Sequence, residues 1–409
     1  MNSVFYWVGK GEHERQELIQ ASWWVTIMLS SLVLILLPFA SLIEEYLQLP
    51  RNIVYLLIIS SFLVCPSGHY NEFCIAQGER VKGTLLGVSF ELIKTIGFIL
   101  LAYWQKNVDC LFYYFALMMI VSFILMTWLG AKHRTVTLGP QKDKIQRVFS
   151  YSLPISISAL LHFAVDKSDM IFLSFFLGKE SFAFYSLGCL VIPPLYILEM
   201  SVQKILIPSL SQSYTNKNFK NIQLSFRKAI ENMAFLIIPS FFGLYFFSEV
   251  IIKIIYTDSY LASSDFLKIF SWSYLLLIIP HDSLYRASGK TKLLLSNYIF
   301  FSPVIVLVVF LVAYYTNASY TLISAIGLKF IFKIFCLYKI RRQFGLSLSE
   351  LIPYKILLRF TLISIVLTAL SFQIKSLFTD DRIWFSVVCP LFALLYFSQL
   401  LFDRQRPSL

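Results

Sequence analysis

The sequence predicts an all-α integral membrane protein. Hydrophobic residues make up 57% of the 409-residue chain, charged residues only 14%, and the mean hydropathy is +0.70, whereas soluble domains carry about 25% charged residues. Twelve apolar runs reach about 20 residues, the helix length that crosses about 30 Å of hydrocarbon. These runs lack the period-two alternation of β-barrel strands. Their backbone N–H and C=O groups are therefore expected to form hydrogen bonds within α-helices, because lipid offers them no partner.

The twelve predicted spans follow one another with short connections, and several contain proline. They cover residues 22–43, 53–70, 84–104, 111–130, 149–177, 183–210, 229–250, 266–285, 293–315, 319–338, 355–375 and 383–402. Proline within or at the end of a span can kink the helix and free a carbonyl toward a cavity. The prolines in such positions are Pro154, Pro193, Pro194, Pro239, Pro280 and Pro303.

Basic residues are distributed unevenly between the alternate loops that join these spans. One set of loops, together with both chain ends, holds 22 Lys and Arg residues, and the other set holds six. Because cytoplasmic loops carry the excess of Lys and Arg, both termini are predicted to be cytoplasmic. The net charge of +12 is therefore an orientation signal and does not indicate binding to nucleic acid.

The loops and cysteines argue against catalysis and cofactors. The outward-facing loops are all short, so no external domain could hold the acceptor of a membrane polymerase, and the chain is not expected to be an enzyme. No GxxxxGK[ST] phosphate loop occurs in the sequence, which argues against ATP hydrolysis by that route. The six cysteines lie in or beside apolar runs without CxxC spacing, and they are predicted to be core residues rather than metal ligands.

An internal repeat relates the predicted spans to one another. Ala76 and Gly78 correspond to Ala287 and Gly289 at an offset of 211 residues. The same offset superimposes the first four spans on spans seven to ten, as in transporters built from repeats. It also places the counterparts of spans five and six before residue 1. The chain is therefore expected to be an N-terminally shortened member of a fourteen-span family.

The repeat and the span order predict three domains. Residues 1–148 form a first half with four spans, and residues 149–342 form a second half with six. Residues 343–409 form an appended pair of spans with a cytoplasmic tail.

Eight ionisable side chains lie near the middle depth of predicted spans. The acids are Glu91, Asp166, Asp169 and Glu199, and the bases are Lys94, Lys167, Lys329 and Lys333. Facing lipid, eight charges at about 2.5 to 3.5 kcal/mol each would cost roughly 20 to 28 kcal/mol, so they are predicted to face an interior. Separations of three or four residues place several of them on common helix faces.

Two interpretations of these charges stay open. In the first, they pair only to fix helix packing, as Glu91 would with Lys94, or Asp166 with a lysine of a neighbouring span. In the second, they line a polar cavity between two halves that admits a charged substrate and a coupling ion, H⁺ or Na⁺. His162, one helical turn before Asp166, is either a packing residue or part of a proton relay.

The stretch YSLPISISALLHFAVDKSDMIFLSFFLGKESFAFYSL, residues 151–187, resembles the start of the second half in polysaccharide transporters. These belong to the multidrug, oligosaccharidyl-lipid and polysaccharide exporter (MOP) superfamily, and the O-antigen flippases of Wzx type are the best fit. The matching features are Leu153 with Pro154 before the span, Asp169 ahead of Leu177 and Gly178, and then Tyr185. Residues 207–230 and 286–292 resemble that family's long cytoplasmic link and basic turn. Ala183 and Phe184 depart from it, since a glycine is common there.

The resemblance implies a flippase for an undecaprenyl-pyrophosphate-linked oligosaccharide in the bacterial inner membrane. Its partners would be this lipid-linked oligosaccharide, membrane lipids, and polysaccharide polymerase and chain-length proteins. Lys94, Lys167, Lys329 and Lys333 would bind the anionic head. Glu91, Asp166, Asp169, Glu199 and His162 would be counter-charges or ion-coupling sites.

Two rival functions stay open. One is a drug or small-cation exporter of the same superfamily, and the other is a membrane glycan polymerase. An excess of lysine in the cavity would favour the flippase, whereas an excess of acid would favour the exporter.

Overall fold

The computed structural model describes residues 3–10, 15–47, 49–105, 108–136, 139, 142–345, 347–375, 378, 383–388, 390–392, 394 and 396. Every regular element in them is helical, which confirms the all-α prediction. The α-helices are α1 (Ser3–Lys10), α2 (Arg15–Ser30), α3 (Ala40–Leu47), α4 (Arg51–Ser67), α5 (His69–Ala76), α6 (Arg80–Gln105), α7 (Val108–Lys132), α8 (Lys142–Phe176), α9 (Lys179–Gly188), α10 (Pro193–Thr215), α11 (Phe219–Phe246), α12 (Ser248–Ile255), α13 (Ser263–Leu275), α14 (His281–Ala287), α15 (Thr291–Tyr315), α16 (Ala318–Phe344), α17 (Leu348–Leu351) and α18 (Tyr354–Lys375). Short 3₁₀ segments cover Ser31–Phe39, Asp258–Tyr260 and Leu276–Ile278.

Most predicted spans correspond to helices long enough to cross a membrane. Within the described residues nine helical stretches pass this test, and α9 with α10, bent by 49°, makes a tenth if the pair is one span. The first stretch, Gln16–Tyr46, joins α2 and α3 through a 3₁₀ segment. The last predicted span, 383–402, lies partly outside the described residues.

The surface of these helices is apolar, as a lipid-facing surface must be. Helix α6 is the extreme case, because the most apolar stretch of Val81–Trp104 contains no buried residue. Large side chains such as Leu85, Ile93 and Ile99 are more than half exposed. Burial inside the protein therefore does not account for the hydrophobicity of α6, whereas contact with hydrocarbon does.

The predicted span at 266–285 is broken in the structure. Helix α13 ends at Leu275, a 3₁₀ turn follows, and Ile279 adopts an extended conformation with φ −110° and ψ 101° before Pro280. The proline ring disfavours the helical conformation of the preceding residue, so the chain leaves the helix there. It resumes as the short helix α14 at His281.

The predicted span at 183–210 also contains a break, between α9 and α10. The Ile192 N–H donates to the Tyr274 hydroxyl at 3.0 Å, and that hydroxyl donates to the Leu190 carbonyl at 3.4 Å. Tyr274 is 1% exposed, so backbone groups freed by the break find a partner inside the protein. Without water nearby, such pairing is what makes a broken span tolerable.

The bounds of the helices repeat at the predicted offset. Adding 211 to the bounds of α6 gives 291–316, against Thr291–Tyr315 for α15, and the same shift of α7 gives 319–343, against Ala318–Phe344 for α16. Gly78 and Gly289 both have positive φ, of 95° and 75°. The sequence repeat is therefore also a repeat of helices and turns.

The described residues form two compact units. The first draws on residues 1–157, 204–219 and 285–295, and the second on 158–203, 220–284 and 296–409. The three domains predicted from the sequence divide the chain by the repeat instead, and that division stays a prediction.

A buried aromatic cluster organises the first unit around α1. Tyr6 stacks on Tyr151 with ring centroids 4.3 Å apart, and its carbonyl accepts a hydrogen bond from Ser211 at 3.2 Å. The Tyr151 hydroxyl donates to the Arg286 carbonyl at 2.9 Å. A Cβ atom at Gly289 would lie 2.6 Å from the Tyr6 hydroxyl, so this turn requires glycine for space as well as for conformation.

We expect Gly289→Ala to destabilise the protein more than Gly78→Ala. Both positions have left-handed backbones, which cost about 1 to 2 kcal/mol for a residue with a Cβ, but nothing lies within 4 Å of a Cβ at Gly78. Tyr6→Phe should recover part of the Gly289→Ala loss by removing the hydroxyl. The unfolding midpoint in detergent measures this, and equal losses without recovery by Tyr6→Phe would contradict it.

Candidate functional site

A polar cavity of about 120 Å³ lies within the second unit. Helices α8, α10, α13, α14, α15 and α16 all contribute to its wall. Its charged, imidazole and amide side chains are His162, Asp166, Glu199, Gln203, His281, Asp282, Lys329 and Lys333. Such a concentration of ionisable groups inside apolar helices marks a candidate binding site.

Three of these helices each contribute two polar residues separated by four positions. His162 and Asp166 lie on α8, Glu199 and Gln203 on α10, and the two lysines 329 and 333 on α16. Residues four apart share a helix face. The sequence spacing thus directs each pair toward one side of its helix, and packing of the three helices brings these sides together.

An ion pair joins α8 to α16 at the cavity wall. The Lys329 Nζ lies 2.9 Å from Asp166 Oδ1 and 3.4 Å from the Asp166 carbonyl. The two side chains are 13% and 31% exposed. This is the pairing of Asp166 with a lysine of a neighbouring span that the first interpretation named, and both residues line the cavity. The substrate and ion-coupling roles of the two residues stay predictions.

Lys333 differs from Lys329 in its contacts. Its ammonium makes no hydrogen bond or ion pair with any residue that the structure describes, although Glu199 and Asp282 lie near enough to act on its charge. Glu199 itself accepts a hydrogen bond from Gln203 at 3.0 Å. Lys333 is therefore the basic group of this cavity that is available to a ligand.

The structure adds a pair to the site that the sequence reading did not select. The His281 Nε2 lies 2.9 Å from Asp282 Oδ1, and the Tyr298 hydroxyl donates to Asp282 Oδ2 at 3.2 Å. His281 is 6% exposed. The sequence feature that could have indicated this pair is Pro280. It ends the preceding helical segment, and α14 begins at the next residue, His281.

The other predicted site residues lie elsewhere. The Tyr185 hydroxyl donates to Asp169, which is 3% exposed and does not line the cavity, nor does Lys167. In the first unit the Lys94 Nζ donates to Glu91 Oε1 at 2.7 Å on α6, where the Glu91 side chain is 62% exposed. This last pair is the one expected between Glu91 and Lys94, but it lies within one helix and leaves Glu91 exposed instead of facing an interior of the described residues. The substrate and ion roles of all four residues stay predictions.

Metal ligands are not grouped in the described part of the chain. No set of three or more His, Cys, Asp and Glu side chains there is placed to hold a metal ion. Among the described cysteines, Cys74, Cys189 and Cys336 are buried, and Cys65 and Cys110 are half-buried.

Comparison with known protein families places the chain among polysaccharide biosynthesis proteins. Residues 7–265, more than half of the chain, match a family model described as polysaccharide biosynthesis protein. A search of curated protein sequences found no match.

The fold is similar to solved MATE and MOP transporters. A MOP-superfamily transporter from Pyrococcus furiosus, described by the reverse polarity of its binding pocket, aligns with a TM-score of 0.68 and 14% identity, covering 84% of this chain and 83% of that one. A multidrug-resistance MATE transporter in an outward-facing conformation aligns with a TM-score of 0.65 and 15% identity, covering 84% of this chain and 82% of that one. A MATE transporter from Vibrio cholerae in its bent form aligns with a TM-score of 0.61 and 14% identity, covering 83% of each chain. At such identities the similarity shows the fold alone.

We expect Lys329→Met to destabilise the protein and the double variant Asp166→Asn with Lys329→Met to recover most of the loss. Removing one partner of a buried ion pair costs about 3 to 5 kcal/mol, an upper bound here because Asp166 is partly exposed. The unfolding midpoint in detergent measures both variants. The control is Lys82→Met, which breaks an exposed pair with Glu79 and should change little. A double variant as unstable as Lys329→Met would contradict the assignment.

Proposed function

We propose that this chain, which belongs to the polysaccharide biosynthesis protein family, is a flippase for a lipid-linked oligosaccharide. The cargo would be an oligosaccharide repeat unit on undecaprenyl pyrophosphate, such as an O-antigen unit. It would move from the inner to the outer face of the bacterial inner membrane. The MOP-type fold supports this proposal, and its two repeats are of the kind that give alternating access.

Lys333 is the observation that carries the proposal. A pyrophosphate presents anionic oxygens that accept charge-assisted hydrogen bonds, and a lysine ammonium can donate three. Lys329 already donates to Asp166, whereas Lys333 makes no such contact with a described residue. An ammonium without an ion-pair partner is costly in an apolar surrounding, so an anionic head bound in the cavity would stabilise it.

The cycle would use the gradient of an ion, H⁺ or Na⁺, because the sequence has no phosphate loop for ATP. Of the residues nominated for that role, His162, Asp166 and Glu199 line the cavity. The excess of Lys and Arg in one set of loops supports cytoplasmic termini. A lipid-linked cargo would also place the protein beside membrane lipids and the polymerase and chain-length proteins that use the flipped unit.

Complementation of flippase-deficient bacteria that make different repeat units tests the proposal, with surface polysaccharide as the readout. The wild-type chain should restore it in a matched host, and Lys333→Met should not. Loss of one charge-assisted hydrogen bond costs about 1.5 to 3 kcal/mol, or roughly 10- to 150-fold in affinity.

Lys355→Met is the matched control, because Lys355 is exposed at the start of α18 and should leave complementation unchanged. Immunoblotting of membranes would show that each variant is inserted. A wild-type chain that is inserted but restores no host would contradict the flippase, and full activity of Lys333→Met would contradict the role of this lysine.

A cation exporter is the second candidate, and the composition of the cavity favours it. Three carboxyl groups, those of Asp166, Glu199 and Asp282, line the wall against the two ammonium groups of Lys329 and Lys333. Acid in a membrane cavity attracts cations, and the exporter interpretation rests on this excess. The contact of Lys329 with Asp166 removes one group of each sign and leaves this excess unchanged, whereas a protonated His281 beside Asp282 would offset it.

If the exporter is the true function, cells carrying the chain should lose ethidium faster than cells without it. Glu199→Gln should abolish the difference because one carboxylate would no longer attract the cation. Glu79→Gln, which alters an exposed acid paired with Lys82, serves as the control. Ethidium retention equal to that of empty cells would reject this candidate.

A further inference from the structure

In each repeat a short helix that begins at a histidine follows a longer helix. Helix α5 begins at His69 directly after Gly68, which keeps a helical conformation with φ −79° and ψ −11°, so Arg51–Ala76 forms one helical stretch. Helix α14 begins at His281 after the extended Ile279 and Pro280, where the chain leaves the helix. Each short helix ends at the paired alanines 76 and 287, and each is followed by a glycine with positive φ. The two segments are thus equivalent pieces of the repeat.

An acid accompanies the histidine in both segments. Glu72 lies in the first turn of α5, and Asp282 lies in the first turn of α14. The exact positions differ, because the histidine and acid are three residues apart in the first repeat and adjacent in the second. What the repeats share is therefore one imidazole and one carboxyl at the start of the short helix.

The first pair is deeply buried and incompletely bonded. His69 is 2% exposed and its Nε2 lies 2.8 Å from the Ser22 hydroxyl, while Glu72 is 7% exposed. His69 Nδ1 and Glu72 Oε2 are buried without a hydrogen-bond partner among the described residues. Lys204 is the described charged side chain whose field reaches Glu72, and no ion pair joins the two.

The second pair lies in the wall of the polar cavity. His281 Nε2 is 2.9 Å from Asp282 Oδ1, and Tyr298 donates to the other carboxyl oxygen at 3.2 Å. Besides Tyr298 on α15, the described ionisable groups whose charge acts on this pair include His162 on α8 and Lys333 and Cys336 on α16. Asp166, Glu199 and Lys329 line the same cavity. A neutral donor, the Tyr298 hydroxyl, therefore bonds the acid, and charges of both signs surround the pair.

A buried carboxylate whose oxygens lack full hydrogen bonding or an opposite charge is strongly unfavourable, and binding a proton removes its charge. Imidazole accepts protons near neutral pH, so a buried histidine beside an acid gives a proton two sites. We propose that His69 with Glu72, and His281 with Asp282, are proton-binding sites, one in each repeat. Their use in coupling rests on the proposed function, whereas proton binding itself does not.

Infrared difference spectroscopy of the full chain in liposomes tests this inference, with protons as the probe. The C=O band of protonated carboxyl groups should change as the pH is stepped between about 5 and 8, a range in which exposed carboxyls no longer titrate. Glu72→Gln and Asp282→Asn should each remove a separate part of that change. Asp143→Asn, at an exposed side chain on α8, should leave it intact.

The histidine variants provide a second measurement if an acid variant does not fold. His69→Gln and His281→Gln keep the acids but remove the imidazoles, so the midpoint of the matching carboxyl component should shift by about one pH unit or more. A band change that neither acid variant reduces, with midpoints unmoved in the histidine variants, would overturn the proposal. If only one of the two acid variants reduces the band change, the proposal of one proton-binding site in each repeat would be overturned.

The same experiment separates this inference from the proposed function. Failure of complementation with the carboxyl bands present would reject the flippase and keep the proton sites. Successful complementation with no titrating carboxyl between these pH values would keep the flippase and reject the sites.

Discussion

Inside a bilayer neither the backbone nor a charged side chain can bind water, so a polar group within a span is costly unless the protein or a ligand bonds it. The breaks in this chain obey that constraint. At the break between α9 and α10, the hydroxyl of Tyr274 bonds both Ile192 and Leu190. The same constraint gathers the charges of α8, α10 and α16 around one cavity instead of leaving them against lipid.

The cavity charges belong to one repeat. At the offset of 211 residues, Lys329 and Lys333 correspond to Met118 and Ser122, which are uncharged. In the other direction, Glu91 and Lys94 of α6 correspond to uncharged residues of α15. The two repeats thus share helices and glycine turns but differ in the chemistry they present, and the charges of the cavity lie in the second unit.

Sequence reasoning succeeded where the physical signal is local. Apolar length predicted the helices because crossing hydrocarbon requires it, and the offset between Gly78 and Gly289 predicted a repeated turn. The four-residue spacing of Lys329 and Lys333 predicted a shared face. It failed for His281 and Asp282, because the run 266–285 was interpreted as continuous and the pair appeared to end a span rather than to line a cavity.

By itself, the sequence determined that the chain is a helical membrane protein with an internal repeat, since hydrophobic length, charge asymmetry and turn residues are properties of short segments. Only the tertiary structure decided which charges meet. Asp166 and Lys329 are 163 positions apart, and Lys333 differs from Lys329 only in what surrounds it. Such contacts depend on the packing of helices distant in sequence, which apolar periodicity does not specify.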